Sequence, residues 1–287
     1  GGRSPVFYSE STWKGYILLR DITIGQYYPA DSILHRLDPR VKFIATLAFI
    51  ISLFISSTWI GYLVSTVFLA AVIRLSKVPF RFMVKGLKAI VILLLITLFF
   101  NMIFTPGTPL VHFWIITITR EGVITAIRMG IRLIYLIIGS SVMTLTTTPN
   151  QLTDGLESLL KPLEKIRVPV HDIAMMMSIA LRFIPILLEE TDKIMKAQIA
   201  RGADFESGGL MKKIKSMVPL LVPLFISAFR RANDLALAME ARCYHGGAGR
   251  TQMKPLRYER RDYLAYLVLA VYLAIVILMR VFGRYLI

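Results

Sequence analysis

Five runs of this sequence, 42–57, 59–73, 89–104, 121–145 and 263–279, are apolar for long enough to cross a lipid bilayer. A span needs roughly 20 such residues and tolerates about 17 at the short end. The chain therefore reads as an all-α integral membrane protein with about five transmembrane helices. The first span has a marked beginning: Asp38 can cap the orphan N–H groups, and Pro39 suits the first helical position. It forms a hairpin with the second span through a short uncharged turn.

Charge fixes an expected orientation. The chain carries 34 Lys+Arg against 18 Asp+Glu, a net charge of +16, although 55% of it is hydrophobic and the mean hydropathy is +0.62. Such a basic excess suits nucleic acid, an anionic membrane surface or an acidic protein partner, and the long apolar runs decide against nucleic acid. Between the second and third spans, 74–88 holds Arg74, Lys77, Arg81, Lys85 and Lys88 and no acid. The positive-inside bias places this stretch, and the basic residues Arg36, Arg40 and Lys42, in the cytoplasm. The turn 56–59 and the loop 105–120 then lie outside, the N-terminus inside and the C-terminus outside. Residues 1–41 are polar and carry Pro29 and Pro39, so they read as a cytoplasmic or interfacial segment with no cleavable signal peptide.

The expected organisation is thus 1–41 as that segment, 42–146 as four spans, 147–262 as a cytoplasmic insertion and 263–287 as the last span. The insertion carries one short and two long helical patterns. Leu152, Leu156, Leu159, Leu160 and Leu163 recur at helical spacing over 150–165. Residues 173–188 are nearly all apolar around Arg182 and Pro185; the pattern then turns polar and ends at Ala200-Arg201-Gly202. Residues 217–229 are apolar around Pro219 and Pro223; they too turn polar and end at Ala241-Arg242-Cys243. Gly202 and Gly246-Gly247 are expected to close these helices in a left-handed conformation. Arginine favours a helix C-terminus through the macrodipole, and it also grips carboxylates with a rigid fork of donors. One plan used twice points to two similar acidic grooves on a partner.

Catalytic chemistry is hard to place. Residues 246–251 are glycine-rich but follow a helix and offer Arg250 where a phosphate loop needs Lys, so they read as a linker. His35, His112, His171 and His245 lie apart, without ligand spacing, and Cys243 is the single cysteine. No metal or cofactor is expected on this chain. Ser140-Ser141 suits close helix packing. The span interiors contain no Asp or Glu, unlike many proton- or sodium-coupled carriers. Arg128 and Arg132 share a face of the fourth span; either they sit at membrane depth facing protein or water, or the span starts later and both sit at its interface. A membrane-embedded enzyme at the cytoplasmic face would have to use Asp154, Glu157 or Asp172. A stand-alone carrier would have little beyond Asn101, the two arginines and scattered Ser and Thr.

The two Ala-Arg endings, the long helices before them and the stretch 31–42 (DSILHRLDPRVK) resemble the transmembrane T component of energy-coupling factor transporters, the EcfT/CbiQ family. The resemblance covers nearly the whole chain from about Gly25. It implies two ABC-type ATPase partners, which use ATP and Mg, and a membrane S component that binds a vitamin or metal ion. The bacterial cell membrane is the implied location. Ala200, Arg201 and Gly202, and Ala241, Arg242 and Cys243, become the implied ATPase-docking residues. Cys243 stands where the family usually has Gly, which bears on the cap. Met175, Met176 and Met177, with Pro185, Pro219 and Pro223, become a platform under the S component, since methionine adapts to several partners; core packing is the competing account.

Overall fold

Asp38 begins the first helix as its sequence requires. In the computed structural model, which describes residues 27–285 except 57, 114–115, 204, 206–208, 247–252 and 254, its side chain accepts from the Arg40 N–H at 2.9 Å. Helix α1 follows over Pro39–Ile55, with proline in its first turn. Helix α2, Trp59–Ser76, ends at Lys77 in the left-handed region. The described residues divide into two units, Gly25–Leu159 with Leu256–Ile287, and Leu160–Pro255.

The first unit continues with α3, Phe80–Phe104, whose limbs Phe80–Lys88 and Ile90–Phe104 are inclined by 62°. The bend falls where the basic stretch gives way to the expected span at 89, so Arg81, Lys85 and Lys88 ride on a separate limb. Residues 105–120, expected as a loop, contain two antiparallel strands, β1 (Pro109–Phe113) and β2 (Ile116–Thr119), with His112 opposite Thr117. The β-branched residues of β2 favour that pleat; the sequence reading took the whole interval between the two spans as a loop. Thr119 then caps α4, Arg120–Thr146, by accepting from the Gly122 N–H at 3.0 Å. Helix α5 is Pro149–Leu160, and the last helix, labelled α8 in chain order, is Arg260–Tyr285.

Helices α1, α2, α4 and α8 meet at Phe49, Leu53, Leu69, Ile138, Val142, Leu269 and Tyr272. Lipid tails are as apolar as these side chains, so close contact and internal hydrogen bonds must hold the helices together. Both are present. A Cβ on Gly139 would come within 2.8 Å of the Phe49 ring, so the absent side chain lets α4 close on α1. The Tyr272 hydroxyl reaches Ser52 Oγ at 2.7 Å and Ser65 Oγ at 3.0 Å in a fully buried cluster, and its ring stacks on Phe68 at 4.1 Å. The outer faces carry exposed Phe54, Leu63, Val67, Leu267 and Val271, as a bilayer-facing surface should.

Trp59–Ser76, Arg120–Thr146, Val170–Ala200 and Arg260–Phe282 are long and apolar enough to cross a membrane, and α3 adds one more if its limbs form one span. Val170–Ala200 differs here from the sequence expectation, which placed it within the cytoplasmic insertion, because its apolar first half outweighs its polar second half. Helix α1, with 17 residues, sits at the short end of the spanning range. The chain is an all-α membrane protein with a small β-hairpin. In the second unit, a 3-10 turn at Lys161–Ile166 leads to α6, Val170–Ala200, and α7, Leu210–Ala241. Pro185 lies inside α6, and Pro219 and Pro223 inside α7, so these prolines are carried within continuous helices.

Candidate functional site at the ends of the two long helices

Helices α6 and α7 form an antiparallel pair. Gln198 Nε2 donates to the Pro219 carbonyl at 3.3 Å, and Arg231 Nη2 pairs with Glu190 Oε2 at 2.7 Å. Moving back along α6 from Gln198 to Glu190 thus moves forward along α7 from Pro219 to Arg231. Arg201 lies eleven residues beyond Glu190, and Arg242 lies eleven beyond Arg231. The ion pair therefore lies at equal sequence distance from the two arginines. At 1.5 Å per residue each arginine is about 16 Å from it, and the two are up to about 33 Å apart, at opposite ends of the helix pair.

The two ends close alike. Beyond α6, Gly202 takes φ +86° and donates to Ile199 O at 2.9 Å, while Ala203 N–H reaches Gln198 O at 3.0 Å. Beyond α7, Cys243 takes φ +55° and donates to Glu240 O at 2.8 Å, while Tyr244 N–H reaches Met239 O at 3.0 Å. Both are Schellman caps, in which a left-handed residue turns the chain so that two last-turn carbonyls are satisfied. The cysteine adopts the geometry expected of glycine, at a steric cost of about 1–2 kcal/mol. Its carbonyl oxygen lies 2.8 Å from His245 Nδ1. Gly246, expected to help end α7, is left-handed three residues later, and Gly247 lies outside the described residues.

Ala200, Arg201, Gly202, Ala241, Arg242 and Cys243 are all exposed. Each guanidinium stands at the negative end of a helix more than thirty residues long, free to meet an acidic surface. The expected platform residues do not share one fate. Met176, Met177, Pro185 and Pro219 are exposed, while Met175 and Pro223 are half-buried. Helix α7 also presents a stripe at helical spacing that the sequence reading did not single out: Met211, Ile214, Val218, Leu221, Phe225 and Phe229, all exposed. A contiguous apolar stripe of this size marks a surface for a partner or for lipid.

Among the described residues no three His, Cys, Asp or Glu side chains gather as a metal site. Burial, and then the charge of Glu157, raise the Asp154 carboxyl above the ordinary aspartate value. The sequence reading passed over Asp262. It is buried at the start of α8 and accepts from the Asp38 N–H at 2.9 Å and the Glu259 N–H at 2.8 Å. Arg40 grips the Asp38 carboxylate through two nitrogens and covers the Tyr258 ring at 4.0 Å. Lys42 donates to the Thr146 carbonyl at 2.8 Å. The stretch 31–42 thus ties α1, α4 and α8 together; the available signal was the run of charges beside an apolar span.

The sequence matches known proteins over most of its length. The cobalt transport protein family CbiQ matches residues 30–254. The energy-coupling factor transporter transmembrane protein EcfT of Clostridium kluyveri is 56% identical over 266 residues, which cover 92% of this chain and 98% of that relative. Its counterpart from Acidaminococcus fermentans is 52% identical over 252 residues, covering 88% and 94%. That of Bacillus subtilis is 44% identical over 264 residues, covering 92% and 100%.

Proposed function

The chain belongs to the EcfT/CbiQ family of transporter membrane components, and from that premise we propose that it couples two ABC-type ATPases to a substrate-binding S component. It is a multi-pass membrane protein and part of an energy-coupling factor transporter, not an enzyme. In the proposed role it binds no nucleotide itself; ATP and Mg belong to the partner ATPases. Ala200-Arg201-Gly202 seats in an acidic groove of one ATPase and Ala241-Arg242-Cys243 in a groove of the other.

The observation that carries this reading is the equal spacing of two like-capped arginines about one interhelix contact. That spacing suits a partner that is itself a two-fold pair. A closing ATPase dimer would pull on both ends at once, and the antiparallel pair would transmit that motion as a change of crossing angle. The exposed stripe of α7, together with Met175–Met177 and the proline-bearing halves, supplies the apolar surface on which the S component rests. This role puts 147–262 and the N-terminus in the cytoplasm and the C-terminus outside the cell. The cargo, a vitamin or a metal ion, is selected by the S component.

Co-purification tests the reading. Arg201→Glu with Arg242→Glu should release both ATPases from the membrane complex while the chain stays folded in the bilayer. Undiminished ATPase association in that double variant would sink it.

A further inference from the structure

The basic stretch 74–88 leaves Arg128 and Arg132 unaccounted for. Arg74 lies near the C-terminal end of α2, whereas the Arg128 guanidinium lies 5.4 Å from the centre of the Trp59 ring at its N-terminal end, about 22 Å away along the helix. The two arginines are therefore at the other side of the membrane from those cations, where the positive-inside bias does not favour them. Arg132 lies 5.2 Å from the centre of the Phe54 ring and donates through Nη2 to the Tyr62 hydroxyl at 3.0 Å. Its Nη1 reaches only the Met129 sulfur, at 3.6 Å.

Two arginines carry about ten N–H donors, and among the described residues these are the only acceptors they have. Nε of each is enclosed without a partner. No Asp or Glu occurs in α1, α2, α3 or α8 after residue 262, nor in α4 after Glu121. Glu121 itself is bonded to the Thr108 N–H at 2.7 Å. The two half-buried arginines stand at the interfacial level of Trp59 without a carboxylate partner in these helices, and an anion from outside the chain would supply one. The surroundings indicate its source. Phe54, Trp59, Ile60 and Ile127 around the pair are exposed and apolar, a surface made for lipid, and tryptophan settles at the level of the headgroups.

We propose that Arg128 and Arg132, with Tyr62 and Trp59, form a binding site for the phosphate of a membrane phospholipid in the leaflet at the N-terminal end of α2. The guanidinium forks match the phosphodiester oxygens, and the aromatic faces of Phe54 and Trp59 hold the arginine planes in place. The acyl chains lie along the exposed residues of α1 and α4.

The test uses the full chain, purified with its partner subunits in mild detergent. Native mass spectrometry counts retained phospholipid in the wild type and in Arg128→Gln with Arg132→Gln. The wild type should keep at least one phospholipid that the variant loses. Phosphatidylglycerol at a hundredfold excess over its Kd should raise the wild-type melting midpoint by about 5–10 °C. Diacylglycerol, which lacks the phosphate, should not; this comparison decides the matter even if the variant folds poorly. Equal protection by diacylglycerol, or equal phospholipid retention by the double variant, overturns the proposal. So does loss of a protein partner with lipid retained, which would assign the arginines to a partner's carboxylates.

Discussion

Replacing Arg201 and Arg242 tests the geometry as well as the role. Each guanidinium is exposed at a helix end, so its removal costs the free chain only the macrodipole contribution, about 0.3–1 kcal/mol. In the docked complex each would be enclosed against a carboxylate, and truncating one member of such a pair costs roughly 2–5 kcal/mol of binding. Arg201→Ala should therefore weaken ATPase association about 30-fold to a few thousand-fold, at about 1.4 kcal/mol per decade. Because the caps match, Arg242→Ala should cost a similar amount. The ends lie up to about 33 Å apart, well beyond the roughly 10 Å within which substitutions couple, so the double variant should show the sum within about 0.5 kcal/mol. Titration of purified ATPase dimer onto the chain in nanodiscs, read by fluorescence anisotropy, gives all three values. Lysine at either position should recover only part of the loss, since it keeps the charge without the fork. A pronounced inequality between the two ends, or a double variant no worse than either single one, would refute two-fold docking.

Four further outcomes follow from named contacts. Cys243→Gly should stabilise the end of α7 by about 1 kcal/mol, because glycine takes a positive φ without strain; thermal melting checks it. Asp262→Ala strands two N–H groups, those of Asp38 and Glu259, at about 1–3 kcal/mol each, and a large fall in melting temperature is the readout. His35 has its pKa lowered, first by burial, so the folded state disfavours its charged form. The neutral ring's stability is then fully present above the unfolded value near 6.5 and falls as pH drops through it, which a melting series from pH 8 to 5 would show. Glu190→Ala should cost little stability, about 0.2–1 kcal/mol for a half-exposed pair, yet lower substrate uptake per ATP hydrolysed; restoration by the swap Glu190→Arg with Arg231→Glu would place the effect in the pair, and unchanged coupling in Glu190→Ala would remove the pair from the transmission path.

Much of the membrane fold was legible because lipid imposes a simple rule: a long apolar run must be a helix. The beginning of α1 was visible in Asp38 and Pro39, since capping is local chemistry. What is set by contacts distant in sequence was not visible. Asp262 looks like an ordinary first-turn acid until α8 brings it against the Asp38 N–H, 224 residues away. The β1–β2 pair was hidden for a different reason: two strands of five and four residues carry too little periodicity to be told from an apolar loop.

The candidate site shows the same division between local and distant signals. Both Ala-Arg ends were readable, and glycine announced the first cap, but Cys243 gave no such announcement and still closes its helix identically. Helix termination there is governed by the carbonyls that must be satisfied, with residue type adjusting only the strain. The spacing that matters, 41 residues from Arg201 to Arg242 and again from Glu190 to Arg231, was present in the sequence throughout. It had no meaning without a contact to mark the centre. Once Glu190 meets Arg231, two arginines that each looked like ordinary helix ends become the equally spaced ends of one antiparallel helix pair. A partner that grips only one end would leave that spacing without a use.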